Sequence, residues 1–331
     1  MEILAYGVAS YERPLLAKAF DGRHDLRCLD VDLDADTAVL ADGYEIVSTN
    51  VNSRVDADVL RRIADGGTKL VTQRSTGFNN IDLDAAARRG ITVMRVARYS
   101  PHSVAEFAWA LAQAVNRRIP RAVIRTRDFD FRLDGLLGRD MHGKTVGVVG
   151  TGKIGEVFTR IAHGHGCRLV GWDIAENPAC RALGMEYVDL PDLLAQSDVV
   201  SLHVPLTPDT HHLVDGAALD LMREEALLVN TSRGGLIDSF ALVAALRRGL
   251  LGGVALDVYE EEEHFFYRDL SDRVVTDDVL ARLMTYPNVL VTSHQAFFTR
   301  EAVDQILGTT VRNVDDYLAG KTTENTLTEP R

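Results

Sequence analysis

Between Lys144 and Asp173 the chain reads KTVGVVGTGKIGEVFTRIAHGHGCRLVGWD. Thr145 to Val149 is a short run rich in valine that predicts a strand. Gly150-Thr151-Gly152-Lys153-Ile154-Gly155 then supplies G-x-G-x-x-G, and Ile154, Val157, Phe158 and Ile161 recur at helical spacing. Strand, glycine turn and helix in that order limit the fold more than anything else in the chain. The first glycine permits a tight turn, the second lets backbone approach a pyrophosphate, and the third lets the helix sit close to its strand, with the phosphates at the helix N-terminus. A second strand, Arg168 to Trp172, ends in Asp173. An acid about 20 residues beyond the glycines accepts hydrogen bonds from ribose hydroxyls and repels a 2′-phosphate, which selects NAD over NADP.

The chain has 331 residues, enough for about two domains. With 46% hydrophobic and 25% charged residues it can build ordinary globular cores. A net charge of −12 argues against a nucleic-acid-binding surface. Acids and bases are interspersed except at Glu260 to Glu263. Cys28, Cys167 and Cys180 show neither C-x-x-C nor a metal-ligand spacing, so reduced thiols, no disulfide framework and no metal site are expected. The first residues enter a strand-like run with no basic region, apolar stretch and cleavage site. No window approaches 18 uninterrupted apolar residues. The expectation is a soluble, cytoplasmic protein with no membrane or nucleic-acid partner.

Residues 1 to about 100 alternate strand and helix signals of their own. Ile3–Val8, Asp25–Val31, Glu45–Thr49, Lys69–Gln73 and Thr92–Val96 read as strands, and Arg13–Phe20, Ala57–Asp65 and Leu83–Arg89 as helices. Such alternation predicts a parallel sheet with helices on both faces. The fourth strand runs into RSTGFNNID, where polar groups gather at a carboxyl end, the edge at which open parallel sheets bind ligands. Tyr99-Ser100-Pro101 begins a crossing into a largely apolar helix, Ser103 to Asn116; proline biases Ser100 toward extended backbone and suits a hinge. Residues 117 to 141 are basic and irregular, with Phe129 and Phe131, and fit an arm or a subunit contact. Beyond the glycine motif, strands at Val199–Val204, Leu227–Asn230, Gly253–Leu256 and Val289–Thr292 lead into His203-Val204-Pro205, Thr231-Ser232-Arg233, Asp257 and Ser293-His294-Gln295. Polar residues thus cap strand after strand where a dinucleotide would lie. A last helix spans about Thr299 to Leu318.

Three residues could carry chemistry. Arg233, between a serine and two glycines, could bind a carboxylate with both arms of its fork, or could be a surface arginine paired with an acid. His294 ends a strand and could donate a proton, which reduction of a carbonyl by hydride requires and a nicotinamide cannot provide. A carboxylate on its other ring nitrogen would fix the tautomer and favour the protonated form. Spacing alone does not choose among Glu260, Glu261, Glu262 and Glu263 for that carboxylate.

RSTGFNNID, GTGKIG with Asp173, HVPLT, NTSRGG, ALDVYEEE and SHQAF occur in the order and at the spacings of the D-isomer-specific 2-hydroxyacid dehydrogenases. The chain resembles that family over nearly its whole length, and within it the fermentative D-lactate dehydrogenases. The resemblance implies two doubly wound α/β parallel-sheet domains: a split, flavodoxin-like catalytic domain of residues 1–100 and 299–331, and an inserted Rossmann coenzyme domain of residues 101–298. It implies NAD as cofactor, a small 2-oxoacid or 2-hydroxyacid as substrate, and a homodimer or higher homo-oligomer joined through the coenzyme domain. The family's glutamate stands five residues after the aspartate that ends its strand, which from Asp257 gives Glu262. The catalytic set implied is Arg233, Glu262 and His294. Cofactor contacts are implied for Gly150, Thr151, Gly152, Lys153, Ile154, Gly155, Asp173, His203, Val204, Pro205, Thr231, Ser232 and Asp257. Of these, Asp257 would lie near the nicotinamide carboxamide. Substrate contacts are implied for Thr76 and Gly77 through their backbone, and for Tyr99, Arg233, His294 and Phe297. The loop from Glu260 to Asp278, with Phe265-Phe266-Tyr267, resembles the lactate enzymes rather than the glycerate group. Two alternatives stay open: a dehydrogenase of bulkier 2-oxoacids, and an NAD-sensing corepressor of the same fold.

Overall fold

The computed structural model describes residues 1–328. The chain forms two compact units, one of Met1–Ser100 with the C-terminal stretch from Thr299, the other of Pro101–Phe298.

The first unit holds a five-stranded parallel sheet of β1 (Glu2–Ala5), β2 (Asp25–Cys28), β3 (Ile46–Thr49), β4 (Leu70–Gln73) and β5 (Thr92–Met94), in the order β2-β1-β3-β4-β5. Helices α1 (Glu12–Phe20), α2 (Ala57–Asp65) and α3 (Leu83–Arg88) fill the crossovers. Successive residues of β1 and β3 serve opposite faces. Leu4 and Val47 pack with α2 and α3, whereas Ile3 and Ile46 pack with α1 and with the C-terminal helix Arg300–Leu318. β1 is shorter than the apolar run because Gly7 adopts φ +59 and passes so close to Asn50 and Asp32 that a side chain would collide with them. The tail after the last helix returns to the sheet edge, where Leu327 N–H donates to Val93 O at 2.8 Å.

The second unit begins with α4 (Pro101–Asn116), whose first residue is the proline of the crossing, a position where the missing N–H costs nothing. A helix that the sequence pattern did not suggest follows, α5 (Ile119–Arg127), and every one of its residues keeps solvent access. Then come β6 (Thr145–Val149), α6 (Lys153–Gly164), β7 (Arg168–Trp172), α7 (Pro178–Ala182), β8 (Glu186–Tyr187), α8 (Leu190–Gln196) and β9 (Val199–Leu202). After them lie α9 (Gly216–Leu221), β10 (Leu227–Asn230), α10 (Ser239–Arg247), β11 (Gly253–Leu256), α11 (Asp278–Thr285) and β12 (Val289–Val291). All seven strands are parallel, in the order β12-β11-β10-β9-β6-β7-β8. Val146 and Val148 of β6 face Phe158, Ala162 and Trp109 of α6 and α4, while Val200, Leu228 and Val254 face Leu219, Leu242 and Leu283 of α9, α10 and α11. Both faces are therefore covered, which is why the strands read as continuous apolar runs. The chain leaves β6 for β7 on one side and returns to β9 on the other. This reversal of strand order is a topological switch point, and it falls at the carboxyl end of β6, where the glycine motif stands.

Candidate active site and its coenzyme cradle

The three glycines differ in what surrounds them. Gly150 turns at φ +95, and a side chain there would meet the backbone of His203 and Val204 at 2.7 to 2.8 Å. Gly155 lies so close to the carbonyl of Gly150 that no side chain fits, which seats α6 tightly on its strand. Gly152 alone faces open space, with nothing within 4 Å of the position a side chain would take. It is also the N-cap of α6 and offers no side-chain cap, so the first amides of a 12-residue helix are left to an anion from outside. Nearby at the end of β10, the buried hydroxyl of Thr231 lacks a hydrogen-bond partner. An open glycine and an uncapped helix after β6, with an orphaned hydroxyl after β10 two strands along the same carboxyl edge, fit a dinucleotide diphosphate.

Asp173 ends β7 and reaches back to the turn. Its Oδ2 accepts from Thr151 N–H at 2.6 Å and from Thr151 Oγ1 at 3.1 Å. Asn177 Nδ2 donates to Thr151 O at 2.8 Å and Tyr187 Oη to Thr151 Oγ1 at 2.8 Å, so one residue of the glycine loop is held from three sides. Neither Asn177 nor Tyr187 carries a motif that marks it in the sequence. His203, beyond β9, places Nε2 3.0 Å from Ser201 Oγ and its ring 4.9 Å from Phe158, and loss of hydration pushes its pKa down to about 3.

At the other half of the edge, the residues after β10, β11 and β12 stand on three adjacent strands. Arg233 follows β10 through an Asx turn: Asn230 Oδ1 accepts from Ser232 N–H at 3.0 Å and Asn230 Nδ2 donates to Arg233 O at 2.8 Å. Asn230 is a positioning residue that the N-T-S-R string could have disclosed by this turn chemistry. Gly234 lies against the backbone of Tyr259 and Glu260 with no room for a side chain, which couples the arginine turn to the loop after β11.

Of the four glutamates in that loop, Glu262 reaches His294: Nδ1 lies 2.7 Å from Glu262 Oε1. Its other oxygen accepts from Tyr259 N–H at 2.9 Å, fixing the carboxylate on its own loop. Glu260 instead faces His212. His294 sits at φ +52, in the left-handed region that non-glycine residues rarely adopt. The turn is held by His294 N–H donating to Asp257 O at 2.7 Å and by Tyr267 Oη donating to His294 O at 2.7 Å. Asp257, fully buried, uses both carboxylate oxygens on the same turn: Oδ1 accepts from Thr292 Oγ1 at 2.5 Å and Gln295 N–H at 2.9 Å, and Oδ2 from Ala296 N–H at 2.8 Å. Burial raises its pKa, and these three donors oppose the rise. Thr292 and Tyr267 act through hydroxyl contacts to residues distant along the chain, so periodicity gave no sign of them.

In the first unit, Thr76 Oγ1 donates to Val96 O at 2.9 Å and Ser75 Oγ to Gly77 O at 2.7 Å, which ties the turn after β4 to the segment after β5. Phe297 and Phe298 lie edge to face at 6.0 Å between ring centres at the end of the second unit.

Residues 109–296 match the model of the D-isomer-specific 2-hydroxyacid dehydrogenase NAD-binding domain. The D-lactate dehydrogenase of Escherichia coli is 44% identical over 328 residues, covering 99% of this chain and all of its own. D-lactate dehydrogenase kk1H of Curvularia clavata is 47% identical over 307 residues, 93% of this chain and 88% of its own. A solved structure described as the pyruvate reductase of Chlamydomonas reinhardtii superposes with a TM-score of 0.95 at 42% identity, covering 98% of each chain. No helix among the described residues is long and apolar enough to cross a membrane. With a full-length likeness at this level and a matching family model over more than half of the chain, the protein belongs to the D-isomer-specific 2-hydroxyacid dehydrogenases, NAD-dependent oxidoreductases.

Proposed function

We propose that the chain reduces pyruvate to D-lactate, with Arg233, Glu262 and His294 as the residues that act on the substrate. The observation that carries this reading is the 2.7 Å contact between His294 Nδ1 and Glu262, because it leaves Nε2 as the nitrogen able to exchange a proton with substrate. When bound, NADH supplies the hydride that adds to C2. Arg233 holds the carboxylate of the 2-oxoacid with its planar fork and draws charge toward the reacting carbonyl. Protonated His294 gives its Nε2 proton to the oxygen that becomes the hydroxyl, while Glu262 offsets the charge on the ring before transfer. In the oxidation of lactate the neutral ring takes that proton back.

Gly150 to Gly155 and the N-terminus of α6 are assigned to the diphosphate, Asp173 to the adenosine ribose, and His203, Val204, Pro205, Thr231 and Ser232 to the path along the sheet edge. The backbone of Thr76 and Gly77 is assigned to the substrate carboxylate, and Tyr99 and Phe297 to its small side chain. On this reading the protein is cytoplasmic and forms a homo-oligomer through the coenzyme unit. Support for the oligomer comes from the segment after α5, which leaves Phe129, Phe131, Leu133 and Leu137 at least 70% exposed in close succession. Light scattering should return a mass above that of one chain.

Initial rates with NADH and pyruvate, 2-oxobutyrate, phenylpyruvate and hydroxypyruvate test the substrate. The highest kcat/KM should belong to pyruvate. A clear preference for phenylpyruvate would make the enzyme a dehydrogenase of bulkier acids. Absence of turnover on all four would leave an NAD-responsive binding protein.

A further inference from the structure

His211 and His212 end the segment beyond β9, and Glu260 lies in the loop beyond β11, yet one donor atom from each falls within 4.8 Å of the others. His212 Nε2 is 2.6 Å from Glu260 Oε1, and His211 Nε2 is 3.9 Å from the same oxygen. Consecutive side chains of an extended chain point to opposite sides. Here the left-handed backbone of His212, φ +52, breaks that alternation, and the two imidazoles stack with ring centres 3.9 Å apart and 26° between planes. The arrangement is anchored below by His212 N–H donating to Gly235 O at 2.8 Å and by Val214 N–H donating to Leu236 O at 2.9 Å. On the other side, Gly234 abuts the backbone of Tyr259 and Glu260. The sequence hides such a site, because its ligands are two neighbours and a residue 48 positions away and no cysteine takes part.

We propose that His211, His212 and Glu260 bind one divalent transition-metal ion, of which Zn2+ fits best. Two imidazoles and one carboxylate are borderline donors that suit Zn2+, Co2+ and Ni2+, whereas Mg2+ and Ca2+ prefer oxygen alone. Tetrahedral Zn2+ holds its ligands at about 2.0 to 2.2 Å, which sets them roughly 3.4 Å apart. The contacts of 2.6 and 3.9 Å straddle that value, so small ring rotations suffice to admit the ion. The exposed side of His211 leaves a fourth position to water. The ion takes the place of the hydrogen between His212 Nε2 and Glu260, which in a neutral ring moves to Nδ1. It also ties the segment of residues 205–213 to the loop of residues 258–263 at Glu260, two residues before Glu262.

The test uses the untagged full chain, stripped with a chelator and titrated with Co2+ and then Zn2+. One Co2+ per chain should bind, with the visible absorption of a four- or five-coordinate nitrogen and oxygen site, and Zn2+ should displace it while Mg2+ does not. Zn2+ should also slow amide exchange in residues 205–213 and 258–263 together. His211→Ala should weaken binding at least about tenfold, and its unfolding midpoint in chelator should match the parent because the ring is exposed. If that midpoint falls, Glu260→Gln, which keeps shape and removes the charge, serves in its place and should lose binding by the same measure. Failure to bind one ion per chain, or binding unchanged in the folded variant, overturns the site.

Discussion

His294 Nδ1 and Glu262 Oε1 lie 2.7 Å apart and join the segments that follow two neighbouring strands, β12 and β11. The carboxylate is acceptor only, so Nδ1 carries the hydrogen toward it and the acid–base work falls to Nε2.

Glu262→Gln keeps the shape and an acceptor but removes the charge beside the ring that gives up its proton. The kcat for pyruvate reduction should fall by more than about tenfold, the scale of 1.4 kcal/mol, while KM for NADH changes little. Glu261→Gln should leave both in place. Steady-state kinetics of the three proteins decide it, and a loss with Glu261→Gln alone would reassign the dyad.

Arg233→Lys keeps the positive charge and gives up the planar fork. A point charge cannot bind a carboxylate at two places and orient its carbonyl as well, so kcat/KM for pyruvate should fall by more than about tenfold, the scale of 1.4 kcal/mol. The Asx turn of Asn230 uses only backbone groups of Ser232 and Arg233 and should survive, so the unfolding midpoint should stay within a degree or two. A loss of only two- or threefold would mark the contact as one at the solvent rim.

Asp173→Ala has two effects that can be separated. It removes one of the three holds on Thr151, the 2.6 Å contact with Asp173, and so loosens the loop for any dinucleotide. It also removes the charge that repels a 2′-phosphate. The loop term is common to NADH and NADPH and cancels in the ratio of their kcat/KM values. That ratio should fall toward one, and an unchanged ratio would limit Asp173 to supporting the glycine turn.

Where the architecture follows from local signals, the sequence was sufficient. Thr145–Val149, Arg168–Trp172, Leu227–Asn230 and Gly253–Leu256 are strands with the bounds read from their apolar runs, because buried parallel strands admit little else. Helix α5 escaped notice for the opposite reason: none of its side chains is buried, so no periodic face could show. The site divides along the same line. The glycines act through backbone that their own φ and crowding dictate, and so leave a motif. The choice of Glu262 among four adjacent glutamates, the grip of Asp257 on the turn of His294, and the hydroxyls of Thr292 and Tyr267 all depend on distances across two strand ends. No spacing along the chain encodes those distances.

Asp257 tests the grip itself. Its carboxylate collects Thr292 Oγ1, Gln295 N–H and Ala296 N–H, and all three lie on the turn that presents His294. Asp257→Asn can satisfy the first two with its amide oxygen, but its NH2 then faces the N–H of Ala296, and a buried donor left unpaired costs about 1 to 3 kcal/mol. Against this stands relief from burying a charge. Because burial raises the Asp257 pKa above its usual 3.8, the native state holds that proton more tightly than the unfolded chain does. The carboxylate therefore destabilises the fold as pH rises from the ordinary value through the raised one, and the cost is full above it. The asparagine variant does not titrate there. Urea unfolding should thus find the variant less stable at acid pH, with the gap narrowing as pH increases through that window. In parallel the turn should shift and kcat for pyruvate should fall, with KM for NADH changing less. A variant that kept its stability and its kcat but bound NADH weakly would give Asp257 to the nicotinamide carboxamide instead of to the turn.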